Sequence, residues 1–515
     1  MNRFGKFVYT GTLFMSLLLA GCAGTPQPPA ATPTPALPAS QPAPPATAVP
    51  DVSTQPDVTE TPAAIARIKV ETYNILYGGG FDERVPADQR LDNRLKGILD
   101  YISVESPDIL GLQELNGWEL GDPQNMDQYA KALTMNGYLA TDVNGLHNGL
   151  LTKYKILETR NLSPILGNVG GLYARLDSPI GSINVFNVHN DPKSPATKAC
   201  QTKKLMQLAE AYKNEPTFLM GDFNDFPDFS PRGWVNPVFF GDRAIDQIWF
   251  SPVIQASYET SPLIPKSKYD TAETYDGKQL YQLSDHMPVA ITFNIEAILT
   301  GTGAAPTPDA GQTLPPALQA VLSQAEVLDA GPFNRCASLM NWQTGSLPIT
   351  EETGLTLTGK NDWAEGFNFR SPIETGQGLL VNFTFAGNQP EFEIHLQSGE
   401  WQAPDYRRFG ATITGGKISK NYWEGASQTD STGFPDSPSL VPNHTYSLFV
   451  GVGRNNQFVM VFWDQADPEK FSSVSETFGP DWDRTDWRFS IGANSGEIVF
   501  PAFSFISFDG IQAEQ

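Results

Sequence analysis

The sequence predicts a mixed α/β domain followed by an all-β sandwich, and three observations lead to this prediction. From Arg67 onward, short β-rich runs alternate with amphipathic helical stretches, a pattern typical of α/β domains. Beyond about Gly331, short aromatic and β-branched runs recur between turn signals with little helical periodicity, which is typical of a β-sandwich. The chain has 515 residues, more than one core ordinarily supports, so two globular domains are expected.

The elements of the first domain are predicted from hydrophobic periodicity. The first strand is expected at 67–76, and a helix follows because the apolar residues between Leu91 and Ile102 fall on one face. Pro107 ends that helix before a strand at 108–112. A second helix is expected around Leu205 to Tyr212. Further strands are predicted at 217–220, 244–250 and 288–295.

The first 22 residues have the pattern of an export signal. Arg3 and Lys6 precede an apolar run at 7–20, and the run ends in Leu19-Ala20-Gly21-Cys22. This pattern resembles a bacterial lipoprotein signal. The resemblance implies cleavage before Cys22, acylation of its thiol and attachment to the lipid bilayer on the extracytoplasmic side. An ordinary secretory signal is the alternative, and export is expected in both cases.

Two segments are predicted to connect the folded parts of the chain. Residues 23–63 are rich in Pro, Ala and Thr with almost no charge, so they are expected to form an extended, disordered tether. A second linker is predicted at 298–330, where Gly, Ala, Thr and Pro are again abundant. The α/β domain is therefore assigned to 64–297 and the β-sandwich to 331–515.

Charge and cysteine content restrict the function and the covalent framework. With 34 Lys and Arg against 57 Asp and Glu, the net charge of −23 provides no long-range attraction to polyanions such as nucleic acid. Only three cysteines are present, which excludes a disulfide framework. Cys200 and Cys336 fall in different predicted domains, and export would permit them to pair. Two free, buried thiols are expected instead, because nothing in the sequence brings their backbones together.

Five segments of the first domain place acidic, amide and imidazole side chains at the ends of predicted strands. Taken singly, each is more often a cap or a solvated loop than a site. They are Thr72-Tyr73-Asn74-Ile75-Leu76, Pro107-Asp108-Ile109-Leu110-Gly111-Leu112-Gln113-Glu114, Asn187-Val188-His189, Gly221-Asp222-Phe223-Asn224-Asp225 and Ser284-Asp285-His286-Met287-Pro288.

Taken together and in this order, the five segments resemble the endonuclease/exonuclease/phosphatase superfamily, the deoxyribonuclease-I-like metal-dependent phosphoesterases. The resemblance covers about residues 67–296. It implies a four-layer α/β sandwich, in which two packed mixed β-sheets are flanked by helices, with the site at one rim.

The chemistry of phosphate-ester hydrolysis accounts for these residue types. A water molecule must attack an anionic phosphorus centre, so the site needs positive charge and a proton acceptor. Glu114 and Asn74 offer oxygen-only ligation, which suits Mg²⁺ or Mn²⁺ rather than zinc. Asp285 is expected to assist metal binding or to position Asn74. A bound Mg²⁺ would also supply the positive charge that the composition lacks.

The resemblance assigns roles to the remaining residues of the site. Asp222 would orient or deprotonate the attacking water, and Asn224 would bind a phosphate oxygen. His189 and His286 resemble a histidine pair that hydrogen-bonds the phosphate, and spacing does not determine which of them acts as acid or base. Asp246 would accept a hydrogen bond from His286 and set its tautomer.

These observations favour a surface-anchored, Mg²⁺-dependent phosphoesterase, with a nuclease-like phosphodiesterase preferred on the resemblance. A phosphomonoesterase and a sphingomyelinase-like enzyme remain open, because substrate choice in such folds is made by loops without a decodable pattern. The alternative from another class is a non-catalytic adhesion protein. No obligate protein partner is expected.

Seven of the ten tryptophans lie after residue 340, in the predicted β-sandwich. Most are expected to pack in the core or rim, while one or two could form an exposed platform for sugars. The strands predicted around Tyr446 to Val452 and Val459 to Asp464 weakly resemble concanavalin-like jelly rolls. A cell-surface glycan is therefore the expected ligand of this domain.

Overall fold

In the computed structural model, the α/β domain and the β-sandwich lie within one unit, residues 62–515. The structure describes residues 65–80, 94–167, 169–237, 245–260, 274–275, 278–279, 283–299, 314–344, 349–350, 354–437 and 439–512. The predicted signal, the tether, the first part of the predicted linker and Leu91 lie outside these residues. Among the described residues, no helix combines the length and hydrophobicity needed to cross a bilayer.

The elements of the first domain alternate between strands and helices, as the periodicity predicts. In chain order they are β1 (Ala66–Asn74), α1 (Arg94–Glu105), β2 (Ile109–Gln113), α2 (Asn125–Ala132), β3 (Asn136–Ala140), β4 (Asn148–Thr152), β5 (Lys155–Asn161), α3 (Ser163–Leu166), β6 (Gly171–Ser178), β7 (Gly181–His189), α4 (Pro195–Glu210), β8 (Thr217–Asp222), β9 (Asp246–Phe250), β10 (Ile254–Thr260), β11 (Thr274–Tyr275), β12 (Lys278–Gln279) and β13 (Val289–Ile298).

Two mixed sheets form the centre of this domain. The first has the strand order β10-β13-β1-β2-β4-β3 and the second the order β5-β6-β7-β8-β9. Within them β1 pairs with β2, and β7 with β8, in parallel, so the carboxyl ends of both pairs can carry a site at one rim. The inner faces pack through apolar side chains such as Val70, Leu172 and Phe218.

Helices cover the outer faces of the two sheets. Ile98 and Ile102 of α1 pack with Tyr73 of the first sheet, and Leu205 of α4 packs with Phe186 of the second. The resulting order is helix, sheet, sheet, helix. The four-layer α/β sandwich predicted for this domain is thereby confirmed.

The elements of the second domain are almost all strands. In chain order they are α5 (Pro316–Val321), β14 (Leu322–Ser323), β15 (Glu326–Pro332), α6 (Arg335–Met340), β16 (Trp342–Gln343), β17 (Ile349–Thr350), β18 (Gly354–Phe369), β19 (Gln377–Ser398), β20 (Arg407–Thr414), β21 (Lys417–Lys420), β22 (Tyr422–Glu424), β23 (Ser427–Asp430), β24 (Tyr446–Val452), β25 (Gln457–Asp464), β26 (Phe471–Thr477), β27 (Arg488–Phe500), β28 (Ala502–Ser507) and β29 (Gly510–Ile511).

The 22-residue strand β19 pairs in antiparallel fashion with four other strands of this domain. Its first part pairs with β24 and β28, and its second part with β20 and β27. The buried side chains of both parts, such as Val381 and Ile394, join one core. The predicted all-β sandwich is confirmed. It begins earlier than expected, because α5 and β15 occupy part of the predicted 298–330 linker and β15 pairs with β28.

The prediction of two free thiols is wrong, because Cys200 and Cys336 form a disulfide with a Cα–Cα distance of 5.4 Å. Cys200 lies on α4 and Cys336 on α6, and these helices pack against each other. The side-chain amide of Asn341, at the end of α6, makes a further contact by donating to the carbonyl oxygens of Pro164 and Ile165 in α3, at 2.8 and 2.9 Å. A separation of 136 residues hides this pairing from the sequence.

A buried acid in β1 makes the stability of the fold depend on pH. Burial raises the pKa of Glu71 to about 7, and the hydroxyl of Tyr101 donates to its carboxylate at 2.9 Å. Between pH 4.5, its ordinary pKa, and about 7, the unfolded chain releases the proton that the folded protein retains. The free energy of unfolding should therefore fall by about 3 kcal/mol as the pH rises through this window.

Glu71→Gln removes this titration and should abolish that fall, as measured by urea unfolding at pH values on both sides of the window. The matched control is Glu296→Gln, which changes an exposed acid on β13. The control should keep the pH dependence of the wild type. A Glu71→Gln profile that runs parallel to the wild-type profile would contradict the assignment.

Candidate active site

The predicted site residues lie at the ends of strands that meet at one rim of the two sheets. Asn74 ends β1, and Glu114 follows β2, its neighbour in the first sheet. In the second sheet His189 is the register partner of Asp222, and Asp222 is in turn the partner of Asp246. The side-chain contacts described below join the two groups across the sheets.

Gly221 allows β7 and β8 to approach closely beside the site. Its φ of 138° is unfavourable for residues with a side chain, and an added Cβ would lie 2.0 Å from the carbonyl oxygen of Val188. A larger residue would push the strands apart at the step before Asp222. The backbone therefore requires glycine at position 221, directly before Asp222 of the candidate site.

The carboxylates of Glu114 and Asp222 meet at the amide of Asn74. The Asn74 Nδ2 lies 3.2 Å from Glu114 Oε1 and 3.1 Å from Asp222 Oδ2. The Asn74 Oδ1 accepts from the backbone N–H of Leu76, and Tyr77 N donates to Glu114 Oε2 at 3.2 Å. Asn74 thus turns its N–H groups toward the acids, and the ligand role predicted for its oxygen requires the amide to rotate.

Asp246, His286 and Asp222 form a line of interacting side chains. The Nδ1 of His286 lies 2.8 Å from Asp246 Oδ2, and its Nε2 lies 3.6 Å from Asp222 Oδ2. Burial by itself would lower the pKa of His286. The adjacent Asp246 carboxylate, with further contributions from Asp222 and Asp285, outweighs burial and raises that pKa to about 10. Without bound metal, His286 is therefore a cation at neutral pH.

His189 faces the same carboxylates from the other side. Its Nε2 lies 3.6 Å from Asp222 Oδ2 and 4.0 Å from Glu114 Oε1. The ring is buried, and its Nδ1 has no hydrogen-bond partner among the described residues. The two histidines consequently flank Asp222.

Asn224 lies two residues after Asp222, in a turn that the aspartate closes. The backbone N–H of Asn224 donates to Asp222 Oδ1 at 2.8 Å, and its side chain donates to the carbonyl oxygen of Asn190 at 3.0 Å. Lys198 of α4 donates to the carbonyl oxygen of Asn224 at 2.6 Å. Asn224 therefore borders the cluster, while Lys198 positions its backbone.

Two residues of the site adopt left-handed backbone conformations without being glycine. Glu114 has φ 61° and Asn224 has φ 49°. Such conformations cost of order 1 kcal/mol each and persist where surrounding contacts enforce them. Both residues belong to the set selected from the sequence, so the strain coincides with the proposed chemistry.

Two residues hold the site loops together, and neither role follows from the sequence. Arg94, buried at the start of α1, donates to the carbonyl oxygens of Ile75, Leu76 and Leu283. Ser284 Oγ donates to the carbonyl oxygen of Asn74 at 2.6 Å. Arginine at a helix start and serine in a loop are ordinarily solvated, so only the three-dimensional arrangement reveals these links.

The donor set fits a hard divalent cation. Glu114 and Asp222 both lie within hydrogen-bond distance of the Asn74 amide. Asp222, Asp246 and His286 also have potential ligand atoms within 4.8 Å of one another. In that trio, His286 Nδ1 is already engaged by Asp246, so Glu114, Asp222 and their neighbours are the better oxygen donors. Asp285 lies next to His286 and contributes to its raised pKa, which places its charge near the site.

Together, the four-layer sandwich and the acids, amides and imidazoles at its rim define a hydrolase of phosphate esters. Residues 72–286 match the model described as the Endonuclease/Exonuclease/phosphatase family. The matched residues lie within the first domain of the chain.

Several solved structures are similar to the chain. ANGEL2, a 2′,3′-cyclic phosphatase, has a TM-score of 0.35 at 15% identity, with 44% of this chain and 95% of that chain covered. The human Nocturnin catalytic domain has a TM-score of 0.33 at 18% identity, with coverages of 44% and 94%. An endonuclease/exonuclease/phosphatase family protein from Bacteroides thetaiotaomicron has a TM-score of 0.32 at 17% identity, with coverages of 44% and 97%. No curated protein matches the chain in sequence.

Proposed function

We propose that the chain is a Mg²⁺- or Mn²⁺-dependent phosphodiesterase of the nuclease-like type, held at the outer face of a membrane. The observation that carries the catalytic part is the position of Asp222. Its Oδ2 lies 3.1 Å from the Asn74 amide and 3.6 Å from each of two histidine Nε2 atoms. A carboxylate between two imidazoles and beside a second acid is suited to orienting a water molecule next to an anionic phosphate.

Each side chain has a distinct task in the proposed reaction. Asp222 accepts a hydrogen bond from the attacking water and aligns it. His286, held by Asp246 through Nδ1, presents its Nε2–H to a phosphate oxygen, where negative charge builds up. His189 offers a second imidazole, and Asn224 a side-chain amide at the border of the cluster.

The metal would be held by the carboxylates of Glu114 and Asp222, with Asp285 nearby and the Asn74 oxygen available after rotation of its amide. When bound, it would neutralise phosphate charge and lower the pKa of water. The chain has 57 Asp and Glu against 34 Lys and Arg, so its net charge does not attract an anionic substrate. The bound cation would supply the positive charge that the substrate needs.

We expect hydrolysis of bis-p-nitrophenyl phosphate and of DNA in the presence of Mg²⁺ or Mn²⁺, with loss of activity on adding a chelator and recovery on restoring the metal. A phosphomonoesterase would instead prefer p-nitrophenyl phosphate, and a sphingomyelinase-like enzyme would release phosphocholine from sphingomyelin. If a folded preparation cleaves none of these substrates with any divalent metal, the hypothesis of an enzyme is rejected in favour of a non-catalytic adhesion protein.

The membrane attachment is proposed from Cys22 and the signal pattern before it. Wild-type protein expressed in a bacterium should partition with membranes and incorporate labelled palmitate. Cys22→Ser should be neither cleaved at this position nor labelled. Labelling that persists in the variant would refute the assignment without affecting the proposed catalysis.

A further inference from the structure

One face of the β-sandwich domain carries a polar network remote in sequence from the phosphoesterase motifs. Glu393, His395 and Gln397 alternate along β19 with the buried apolar residues Ile394 and Leu396, and therefore share one face of the sheet. His395 is only 2% exposed, so this face is a built floor and not a solvated surface.

Hydrogen bonds fix the orientation of the acid on this floor. Arg408 of β20 donates through Nη1 to Glu393 Oε2 at 2.7 Å and through Nε to the hydroxyl of Tyr406 at 2.7 Å. Asn421 Nδ2 donates to the same Glu393 oxygen at 2.9 Å, and Trp423 Nε1 donates to Asn421 Oδ1 at 2.6 Å. The contacts all fall on Oε2, which leaves Glu393 Oε1 without a hydrogen-bond donor among the described residues.

The histidine beside Glu393, His395, is neutral and has one buried ring nitrogen without a hydrogen-bond donor among the described residues. His395 Nε2 lies 3.2 Å from Gln397 Oε1, which also accepts from Tyr406, so the network assigns the ring proton to Nε2. Burial, together with the charge of Arg408, holds the pKa of His395 well below its usual range, and the ring is neutral. Its Nδ1 is then an acceptor 3.7 Å from Glu393 Oε1, with no hydrogen-bond partner among the described residues.

Aromatic rings border this floor on two sides. On one side Trp401 is 51% exposed, packs 5.1 Å from Trp423 and lies under the Arg408 guanidinium at 4.9 Å. On the other side Trp363 is 42% exposed and borders Gly492, the register partner of Glu393. A Cβ at Gly492 would lie 3.6 Å from Glu393 and 3.8 Å from Trp363, so this glycine separates acid and ring.

We call the sheet face between Trp363 and Trp401 the groove, and the strand order sets its width. β18, which carries Trp363, and β20, which carries Arg408, are separated by β27 and β19. At a strand spacing of roughly 4.8 Å, the two strands lie about 14 Å apart. The groove is wide enough for a sugar chain laid across the sheet.

We propose that this groove is a binding site for a pyranose glycan. The exposed tryptophan faces match the apolar C–H faces of pyranose rings, while Glu393 Oε1 matches a sugar hydroxyl that donates a hydrogen bond. A lipid surface would leave this acceptor without a donor, which is costly. The proposed role of the groove is binding, without hydrolysis of the glycan.

Affinity electrophoresis of the full-length chain tests this proposal. Separate native gels contain β-1,3-glucan, β-1,4-mannan or xylan, and pull-downs use chitin and peptidoglycan. At least one of these polysaccharides should bind the wild type. Trp401→Ala and Glu393→Gln should each weaken that binding about tenfold or more. Trp401→Ala removes a stacking face, whereas Glu393→Gln keeps its oxygen on Arg408 and Asn421 and so places an amide N–H where the free acceptor was.

Tyr258→Ala is the matched control, since it removes an aromatic ring of similar exposure, 43%, from the first domain. It should bind as the wild type does. All three variants should retain hydrolysis of bis-p-nitrophenyl phosphate, which separates this proposal from the proposed catalytic function.

Three results would overturn the glycan site. The first is a wild type that none of these polysaccharides binds. The second is a Trp401→Ala variant that binds as tightly as the wild type. The third is wild-type binding to phosphatidylcholine and phosphatidylglycerol vesicles in place of polysaccharide, with loss in Trp401→Ala. Release of reducing ends from a bound polysaccharide would refute the non-hydrolytic role of the groove.

Discussion

Replacing Asp222 by asparagine should lower kcat on a phosphodiester by about 10³-fold, and His286→Ala should have an effect of similar size. Asp222→Asn keeps the shape of the side chain but removes the negative charge that attracts the proton of the water. His286→Ala removes the imidazole N–H that the contact with Asp246 orients toward the phosphate. Steady-state kinetics with saturating metal measures both effects.

The controls for these two variants replace another aspartate and another histidine, both of which lie outside the candidate active site. Asp228→Asn changes an exposed carboxylate that bonds Ser230, and His444→Ala changes a half-exposed imidazole paired with Asp464 in the second domain. Both controls should keep wild-type kcat. Near-normal turnover in Asp222→Asn and in His286→Ala, with unchanged far-UV circular dichroism, would show that the site has been misplaced.

Loss of the disulfide should have the largest effect on stability. Cys200→Ala combined with Cys336→Ala should lower the free energy of unfolding by about 3 to 5 kcal/mol, because the bond closes a loop spanning 136 residues between the two domains. Denaturant unfolding under non-reducing conditions measures this loss. The wild type should lose a similar amount when a reductant is added, whereas the double variant should not respond to it.

Two outcomes would contradict this assignment. Equal stability of the double variant and the oxidised wild type would show that the bond contributes little. A wild type that reacts with two equivalents of a thiol reagent in denaturant without reduction, counted apart from Cys22, would show that the bond does not form.

The candidate site residues could be selected from the sequence because they lie beside predicted strands in an order that resembles a known family. Asp222 ends a buried strand, and His286 precedes another. Their mutual orientation could not be predicted. The Asn74 amide turns its N–H groups to the acids because Leu76 N occupies its oxygen, and such a choice depends on local hydrogen bonding.

The fold class was predictable from periodicity, whereas the junction between the domains was not. Small residues and prolines at 299–316 led to a predicted linker at 298–330, but β15 within it gains backbone hydrogen bonds by pairing with β28, about 170 residues later in the chain. The Cys200–Cys336 bond was missed for the same reason. Contacts between residues far apart in sequence arise from packing, and composition alone carries no record of them.

Whether the Cys200–Cys336 disulfide between α4 and α6 forms depends on the redox state of the compartment. A thiol-rich cytosol keeps such cysteines reduced, whereas an oxidising compartment allows them to remain joined. If the chain is exported, as its amino terminus suggests, its two halves would be locked together only after translocation.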